Sequence, residues 1–145
     1  MADPDHRAAF AAMTKMLITD LRANGGHVTS GPFAGRPVLL LTTTGAKSGQ
    51  ARLAPLVYSR EGDDYIIVAS KGGAPVHPAW YYNLVANPVV TVEVGRKTFQ
   101  AQAWVTAGAE RDRLFAQRAA ASPSFAEYQR RTTRVIPVVE LERLG

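Results

Sequence analysis

The apolar positions of this chain follow a helical pattern at the start and an alternating pattern afterwards. Between about Pro4 and Ala23 they recur near helical spacing, and Asn24-Gly25-Gly26 follows as a stop signal, which predicts one helix. Its apolar face is broad and its charge is balanced, so the helix either covers the core or contacts a membrane surface. A loop rich in Gly and Pro, residues 25–37, comes next.

Short apolar segments separated by turns fill the middle of the chain. In the segment 97–105, apolar side chains at Phe99, Ala101 and Ala103 alternate with polar ones, as in a strand with one buried face. Turns such as Glu-Gly-Asp-Asp and Gly-Arg link neighbouring segments, which is typical of an antiparallel sheet or barrel. Strands are predicted at residues 38–44, 52–60, 65–70, 89–94, 98–105 and 135–141.

Further helices are predicted around these strands. A short one, residues 77–84, begins at His77-Pro78 and ends before Asn87-Pro88. Residues 110–120 form a charged amphipathic helix, and Ser122-Pro123 starts another. The fold class is therefore α+β, mainly β, with one domain over residues 1–145 in which residues 1–36 are an N-terminal helix and loop.

The composition of the chain argues against several classes of protein. The chain has 145 residues, 46% of them hydrophobic, which is enough for one domain with a core. It lacks a run of about 18 apolar residues and a basic-then-apolar secretory start, so a cytoplasmic protein is expected. Without cysteine it has no disulfide, iron–sulfur cluster or thiol nucleophile.

The net charge of +5 suits an anionic ligand. The basic residues are spread along the chain, and the cluster Arg130, Arg131 and Arg134 is interpreted as a solvated helix face. Because a basic stripe with interleaved aromatic residues is missing, nucleic acid is not an expected partner.

Side chains alone offer little catalytic chemistry. His6, His27 and His77 are too far apart in sequence for a local metal motif, so no metal is expected. There is no Gly-x-Ser-x-Gly elbow, and Asp63-Asp64 is interpreted as a solvated turn rather than a catalytic pair. A hydrolase would therefore lack its nucleophile.

Two turns combine glycine, hydroxyl groups and a cation. The first turn, residues 42–50, is not a phosphate loop of the triphosphatase type, because Ala46 separates Gly45 from Lys47. It is either an anion cradle, with Arg52 nearby, or an ordinary exposed turn.

The second turn, residues 69–74, follows a predicted strand and contains Lys71 and two glycines. Glycine there would let the backbone approach a flat ring or a phosphate. Since Trp80 and Tyr81 lie just beyond, the two turns together indicate a site for a ligand that is planar at one end and anionic at the other.

Six ordered motifs carry a family resemblance that covers nearly everything from Pro37 to Leu141. They are LLLTTTGAKSGQ from residue 39, PLVY from 55, ASKGGA from 69, HPAWYYNL from 77, ANP from 86 and IPVV from 136. With these motifs the chain resembles the deazaflavin (F420)-dependent nitroreductases of actinobacteria, a branch of the split β-barrel flavin-binding proteins. The resemblance implies a split β-barrel of about six antiparallel strands with flanking helices.

The same resemblance implies a binding site for coenzyme F420. Lys47 and Arg52 would hold the phosphate and oligoglutamate tail, and Lys71 would add a cation. The other coenzyme contacts it implies are turn residues Thr44, Gly45, Ser48 and Gly49; ring-pocket residues Pro55 and Val57; backbone donors of Ala69, Ser70, Gly72, Gly73 and Ala74; and the closing residues Trp80 and Asn83.

The implied reaction passes a hydride from reduced F420 to a planar electrophilic acceptor, namely a quinone, an unsaturated lactone or coumarin, or a nitro compound. The coenzyme performs the chemistry, and the protein supplies orientation and exclusion of water. Tyr128 is the candidate catalytic residue, as a polar contact or proton donor, and Phe125 would join it in contacting the acceptor. The alternative for Tyr128 is a core aromatic side chain.

Two other functions stay open at this point. The first is a split-barrel oxidoreductase that uses flavin mononucleotide, against which the cations Lys47 and Arg52 argue. The second is a carrier that binds F420 without turnover. The expected partner is a small-molecule acceptor, the first helix could make a peripheral membrane contact, and the protein is expected to be a monomer or a homodimer.

Overall fold

The computed structural model describes residues 4–31 and 33–144, and for residues 4–10 it describes the backbone alone. Seven strands form a single antiparallel sheet: β1 (Val38–Thr44), β2 (Ala51–Val57), β3 (Ser59–Glu61), β4 (Asp64–Val68), β5 (Val89–Val94), β6 (Lys97–Val105) and β7 (Val138–Arg143). The helices of the described residues are α1 (Pro4–Ala23), α2 (Ala79–Ala86), α3 (Gly108–Ala121) and α4 (Ser124–Arg130), and a 3₁₀ turn covers Lys71–Gly73.

The sheet is curled, and the order of its strands explains why. That order is β2-β1-β5-β6-β7-β4-β3, so β2 and β3 lie at opposite edges. Only Tyr58 separates these two strands in the sequence. Because one residue spans less than 4 Å, the two edges must come together at this point. This closure confirms the predicted split β-barrel.

Three apolar clusters hold the layers together. The inner cluster contains Leu39, Leu41 and Val92 on neighbouring strands, together with Leu84 of α2, all nearly inaccessible to water. A second cluster joins Leu21 of α1 to β1, and a third joins Leu114 of α3 to β4 and β7. Burial of each such side chain stabilises the fold by about 1.5–3 kcal/mol, so α1 and α3 are fixed against the outside of the sheet.

The predicted elements are confirmed with one informative difference. The bounds predicted for α1, β1 and β5 match those of the structure, and α2 begins at Ala79, directly after Pro78. The single strand predicted over residues 52–60 is wrong, because the chain leaves β2 at Val57 and starts β3 at Ser59 on the other edge. Seven strands therefore replace six.

The first helix covers the core as one of its two predicted roles requires. Leu17, Ile18 and Leu21 pack in the cluster against β1 and β2, while Met13 and Met16 are exposed. None of the helices in residues 4–31 and 33–144 has the length and hydropathy needed to cross a bilayer.

Candidate functional site

A cleft of about 710 Å³ lies between the first turn, β2 and the start of α2. Six of its lining residues are predicted coenzyme contacts: Gly45, Lys47, Ser48, Arg52, Trp80 and Asn83. Five others were not predicted from the sequence: Ala46, Leu53, Ala54, Ala79 and Tyr82. The structure thus brings the first turn and the aromatic start of α2 together around one cleft, although the strands β2, β3 and β4 lie between them in the sequence.

The first turn is closed by its own backbone. The Gly45 N–H donates to the Gln50 carbonyl at 2.8 Å, and the Gly49 N–H donates to the Gly45 carbonyl at 2.9 Å. Gly49 has φ +69°, in the left-handed region that favours glycine. A Cβ on Gly45 would meet the Ser48 hydroxyl, which would have to rotate away, and would lie 3.3 Å from the Gln50 carbonyl oxygen.

Asn83 fastens this turn to α2. Its side chain is buried, its Oδ1 accepts from the Ala46 N–H at 3.0 Å, and its Nδ2 donates to Thr43 Oγ1 at 3.1 Å. A buried amide with both ends bonded orients its neighbours rigidly. Asn83 therefore lines the cleft and also positions the turn beside it, a second task that the sequence did not reveal.

The cations at the cleft lack acidic partners within the described residues. Lys47 and Arg52 line the cleft and are exposed, and neither forms an ion pair there. At the tip of the turn, the backbone N–H groups of Lys47 and Ser48 find no acceptor in that part of the chain. Two free cations and two free N–H groups form an anion-binding surface.

Position along β2 decides which of its side chains reach the cleft, since the successive residues Leu53 and Ala54 both line it. Ala54 lines it, and Ala54 pairs with Leu41 of the inner cluster. Val57 packs in the cluster beneath α1, and Pro55, two residues away, shares that face of the strand. The structure therefore places Pro55 and Val57 outside the lining of the cleft, and their predicted ring contact stays a prediction.

The second turn has an unusual backbone. Lys71, Gly72 and Gly73 have φ values of +45°, +62° and +81°, and a left-handed residue other than glycine costs about 1–3 kcal/mol. The N–H groups of Ser70, Lys71 and Gly72 have no acceptor within residues 4–31 and 33–144. Such consecutive free donors in a left-handed turn form an anion-binding nest.

The C-terminal helix α4 packs directly on this turn. A Cβ on Gly73 would lie 2.7 Å from the Tyr128 carbonyl oxygen, whereas one on Gly72 would meet open space. Gly73 therefore admits the helix, and Gly72 leaves the nest accessible. The half-buried Tyr128 ring stands edge-on to Phe125 at 6.0 Å between centroids, which brings both predicted acceptor residues next to the second turn.

Arg134 holds the second turn and was not predicted to do so. Its guanidinium donates to the carbonyls of Ala69, Ser70 and Ala74 at 3.2, 2.7 and 2.9 Å. Burial lowers the pKa of this guanidinium from its ordinary value. The interpretation of Arg134 as part of a solvated helix face is wrong, since α4 ends at Arg130 and the Arg134 side chain turns inward.

His77 joins the second turn to the cleft. Its Nδ1 lies 2.9 Å from Arg134 Nη1, so it accepts that hydrogen bond and carries its proton on Nε2. Its ring packs on Tyr81 at 4.5 Å and on Tyr82, a cleft residue, at 5.6 Å between centroids. Burial, followed by the Arg134 charge, lowers the pKa of His77.

These features fit a ligand with a flat ring and an anionic tail. The free cations and free N–H groups offer charge and donors, and Trp80 and Tyr82 offer an aromatic wall. The residues described in the structure do not gather three carboxylate or imidazole groups around one point as a metal site would.

Comparisons with known proteins agree with this site. The sequence profile described as F420H(2)-dependent quinone reductase matches residues 14–143. The chain is 48% identical over 110 residues to an F420H(2)-dependent quinone reductase of Mycobacterium tuberculosis, in an alignment that covers 74% of each protein.

Two solved structures are also similar. An F420-H2-dependent reductase, FDR-A, has 47% identity and a TM-score of 0.68 over 74% of this chain and 95% of its own. A protein described as a domain-swapped dimer has 40% identity and a TM-score of 0.70 over 94% of this chain and 99% of its own.

Proposed function

Because this chain belongs to the F420H(2)-dependent quinone reductase family, we propose that it reduces a quinone beside the cleft and the second turn. The protein is an F420-dependent oxidoreductase, and reduced coenzyme F420 is its hydride donor. When bound, the coenzyme supplies the two-electron chemistry. The residues of this chain bind it, orient it and exclude water.

One observation supports this proposal most strongly: Lys47 and Arg52 stand without carboxylate partners at the same cleft that Trp80 lines. A phosphate and oligoglutamate tail would satisfy both cations and the free N–H groups of the turn tip. Asn83 keeps that tip in place through Ala46 and Thr43.

The deazaflavin ring is proposed to lie between the aromatic wall and the second turn. The N–H groups of Ser70, Lys71 and Gly72 would donate to polar atoms of the ring edge, since nothing in the described chain uses them. Ala54 is a better candidate for the ring pocket than Pro55 or Val57, because it lines the cleft.

Tyr128 is proposed to contact the acceptor. Its ring is half-buried beside Phe125, its backbone packs on Gly73, and its hydroxyl has no hydrogen-bond partner among the described residues. A free phenol at this position can donate a hydrogen bond or a proton to an acceptor oxygen. Replacement by Phe should lower kcat with quinone and leave the affinity for F420 unchanged, which separates this role from a packing role.

The proposed function is tested by titrating the protein with F420 and, in parallel, with flavin mononucleotide. The reduced deazaflavin is then mixed with menadione, a coumarin or a nitro compound, and its oxidation is followed optically. Binding of F420 with quinone-dependent oxidation is expected. Tighter binding of flavin mononucleotide than of F420 would mean that flavin mononucleotide is the cofactor. Binding of F420 without oxidation by any acceptor would favour a carrier. Coumarins and nitro compounds test the wider acceptor range predicted from the sequence.

A homodimer is the proposed assembly. The support is the domain-swapped dimer formed by the protein that is 40% identical over 94% of this chain. The outer face of β5 and β6 also exposes Trp104 and Val89 in the single chain. Light scattering during gel filtration should give twice the chain mass, and a Trp104→Ser variant should give the single-chain mass if this face forms the interface. The predicted cytoplasmic location and membrane contact stay predictions.

A further inference from the structure

Arg134 is a charged side chain whose described hydrogen-bond partners are all neutral. Three of them are carbonyl oxygens of the second turn and the fourth is His77 Nδ1, at distances from 2.7 to 3.2 Å. The sequence separates Arg134 from these partners by 57 to 65 residues. Partial burial of a guanidinium without a carboxylate costs free energy, and the hydrogen bonds from its planar fork of donors to these acceptors offset that cost.

Arg134 determines which hydrogen-bonding groups of the second turn are left free. Arg134 donates hydrogen bonds to the carbonyls of Ala69, Ser70 and Ala74. The Lys71 carbonyl accepts a hydrogen bond from the Ala74 N–H at 3.1 Å. Four of the six carbonyls of residues 69–74 therefore accept hydrogen bonds from within the protein. The N–H groups of Ser70, Lys71 and Gly72 are left free in the described structure, so the turn presents donors to a ligand.

The backbone around Arg134 is itself held in place. The Gln129 side chain donates to the Arg134 carbonyl at 2.8 Å and accepts from the Ile136 N–H at 3.0 Å and from Arg111 at 2.9 Å. Arg111 also donates to the Ile136 carbonyl. Residues of α3 and α4 therefore fix the segment from which the Arg134 side chain reaches the turn.

From this arrangement we infer that Arg134 is a positioning residue: before F420 binds, it holds the second turn, left-handed at Lys71–Gly73, in the form that presents the N–H groups of Ser70, Lys71 and Gly72. The inference rests on the proposed function, because it assigns the ligand of those donors as the deazaflavin ring. It predicts that Arg134 governs affinity for the ring and has no part in binding the tail.

The test compares two ligands and three variants. Arg134→Lys keeps the positive charge and loses the planar fork. Lys47→Ala removes a proposed tail contact. Arg130→Lys is the matched control, since Arg130 is exposed and pairs with Glu127 at 2.6 Å. Each is titrated by fluorescence with F420 and with a tail-less analogue that keeps the deazaflavin ring and lacks the phosphate and glutamates.

Arg134→Lys should bind both ligands about tenfold more weakly, because both carry the ring. Lys47→Ala should lose affinity for F420 alone, and Arg130→Lys should bind both ligands as the unchanged protein does. Unchanged binding of the tail-less analogue by Arg134→Lys would overturn the inference. Failure of the unchanged protein to bind F420 at all would overturn the proposed function as well.

Amide hydrogen exchange supplies a readout that global destabilisation would not reproduce. In Arg134→Lys the Gly73 and Ala74 amides, which donate to the Ser70 and Lys71 carbonyls, should exchange faster while α3 and β6 keep their protection. Equal protection at the turn would contradict the inference. If Arg134→Lys does not fold, His77→Leu removes one acceptor of the Arg134 guanidinium and should weaken the binding of both ligands to a smaller extent; no weakening would overturn the inference.

Discussion

The two turns of this protein contain the same kinds of residue and are built in opposite ways. The first turn closes through its own backbone, from Gly45 to Gln50, and needs one outside side chain, Asn83. The second turn is held by Arg134 and by the packing of α4 on Gly73. Both turns therefore present free N–H groups beside a lysine, but only the first turn is closed mainly by hydrogen bonds between its own residues.

The largest effect is expected from adding a methyl group to each turn. Gly73→Ala places a Cβ against the Tyr128 carbonyl and at φ +81°, so the free energy of unfolding should fall by about 3 kcal/mol. Gly49→Ala meets open space at φ +69° and should lose about 1 kcal/mol. Urea unfolding measures both values. Equal losses of stability in Gly73→Ala and Gly49→Ala would mean that α4 does not constrain the second turn.

Removal of the one outside support of the first turn should have a smaller effect. Asn83→Ala leaves the buried Thr43 hydroxyl and the Ala46 N–H without their Asn83 partner, so the free energy of unfolding should fall by about 2 kcal/mol. The control is Asn87→Ala, whose 3.4 Å contact with the Thr44 carbonyl is long, so a change within about 0.5 kcal/mol is expected. Similar losses for both variants would contradict the fastening role of Asn83.

The charge of the first turn is expected to affect binding without affecting stability. Lys47→Ala should weaken F420 binding about tenfold, and the loss should shrink as salt is added, because the cation is exposed. Lys97→Ala, which removes an exposed cation from β6, should bind as the unchanged protein does. If the F420 affinities of the two variants depended equally on salt, Lys47 would not contact the coenzyme tail.

The smallest effect concerns acid sensitivity of the second turn. The pKa of His77 lies below its ordinary value of 6.5 in the folded protein, because of burial and the facing Arg134 charge. The unfolded chain therefore takes up the proton first, and stability is lost as the pH falls below about 6.5. The other groups that pack against the His77 ring are Tyr81 and Tyr82. His77→Gln should lose less stability than the unchanged protein between pH 7.5 and pH 5.5.

The sequence was sufficient for elements and sites that depend on neighbours along the chain. Short apolar segments bounded by turns predicted β1 and β5, and the glycine and lysine of the first turn lie at the cleft as its motif indicated. The sequence could not tell that Ala54 lines the cleft while Val57 packs beneath α1, because the lining depends on where the first turn and α2 approach β2. The inward turn of Arg134 depends on carbonyls far away in sequence, so no local pattern could show it.

The single residue between β2 and β3 also has a consequence for how the chain reaches its fold. The edge strands β2 and β3 pair with β1 and β4 in local hairpins. Because Tyr58 joins the two hairpins, they reach their final positions only when distant pairs such as Leu40 with Glu93 and Val68 with Val138 have formed. Contacts so far apart in sequence are slow to assemble, so folding is expected on the millisecond to second scale of barrels with non-local pairing. The junction at Tyr58 therefore couples the final placement of the two edge hairpins.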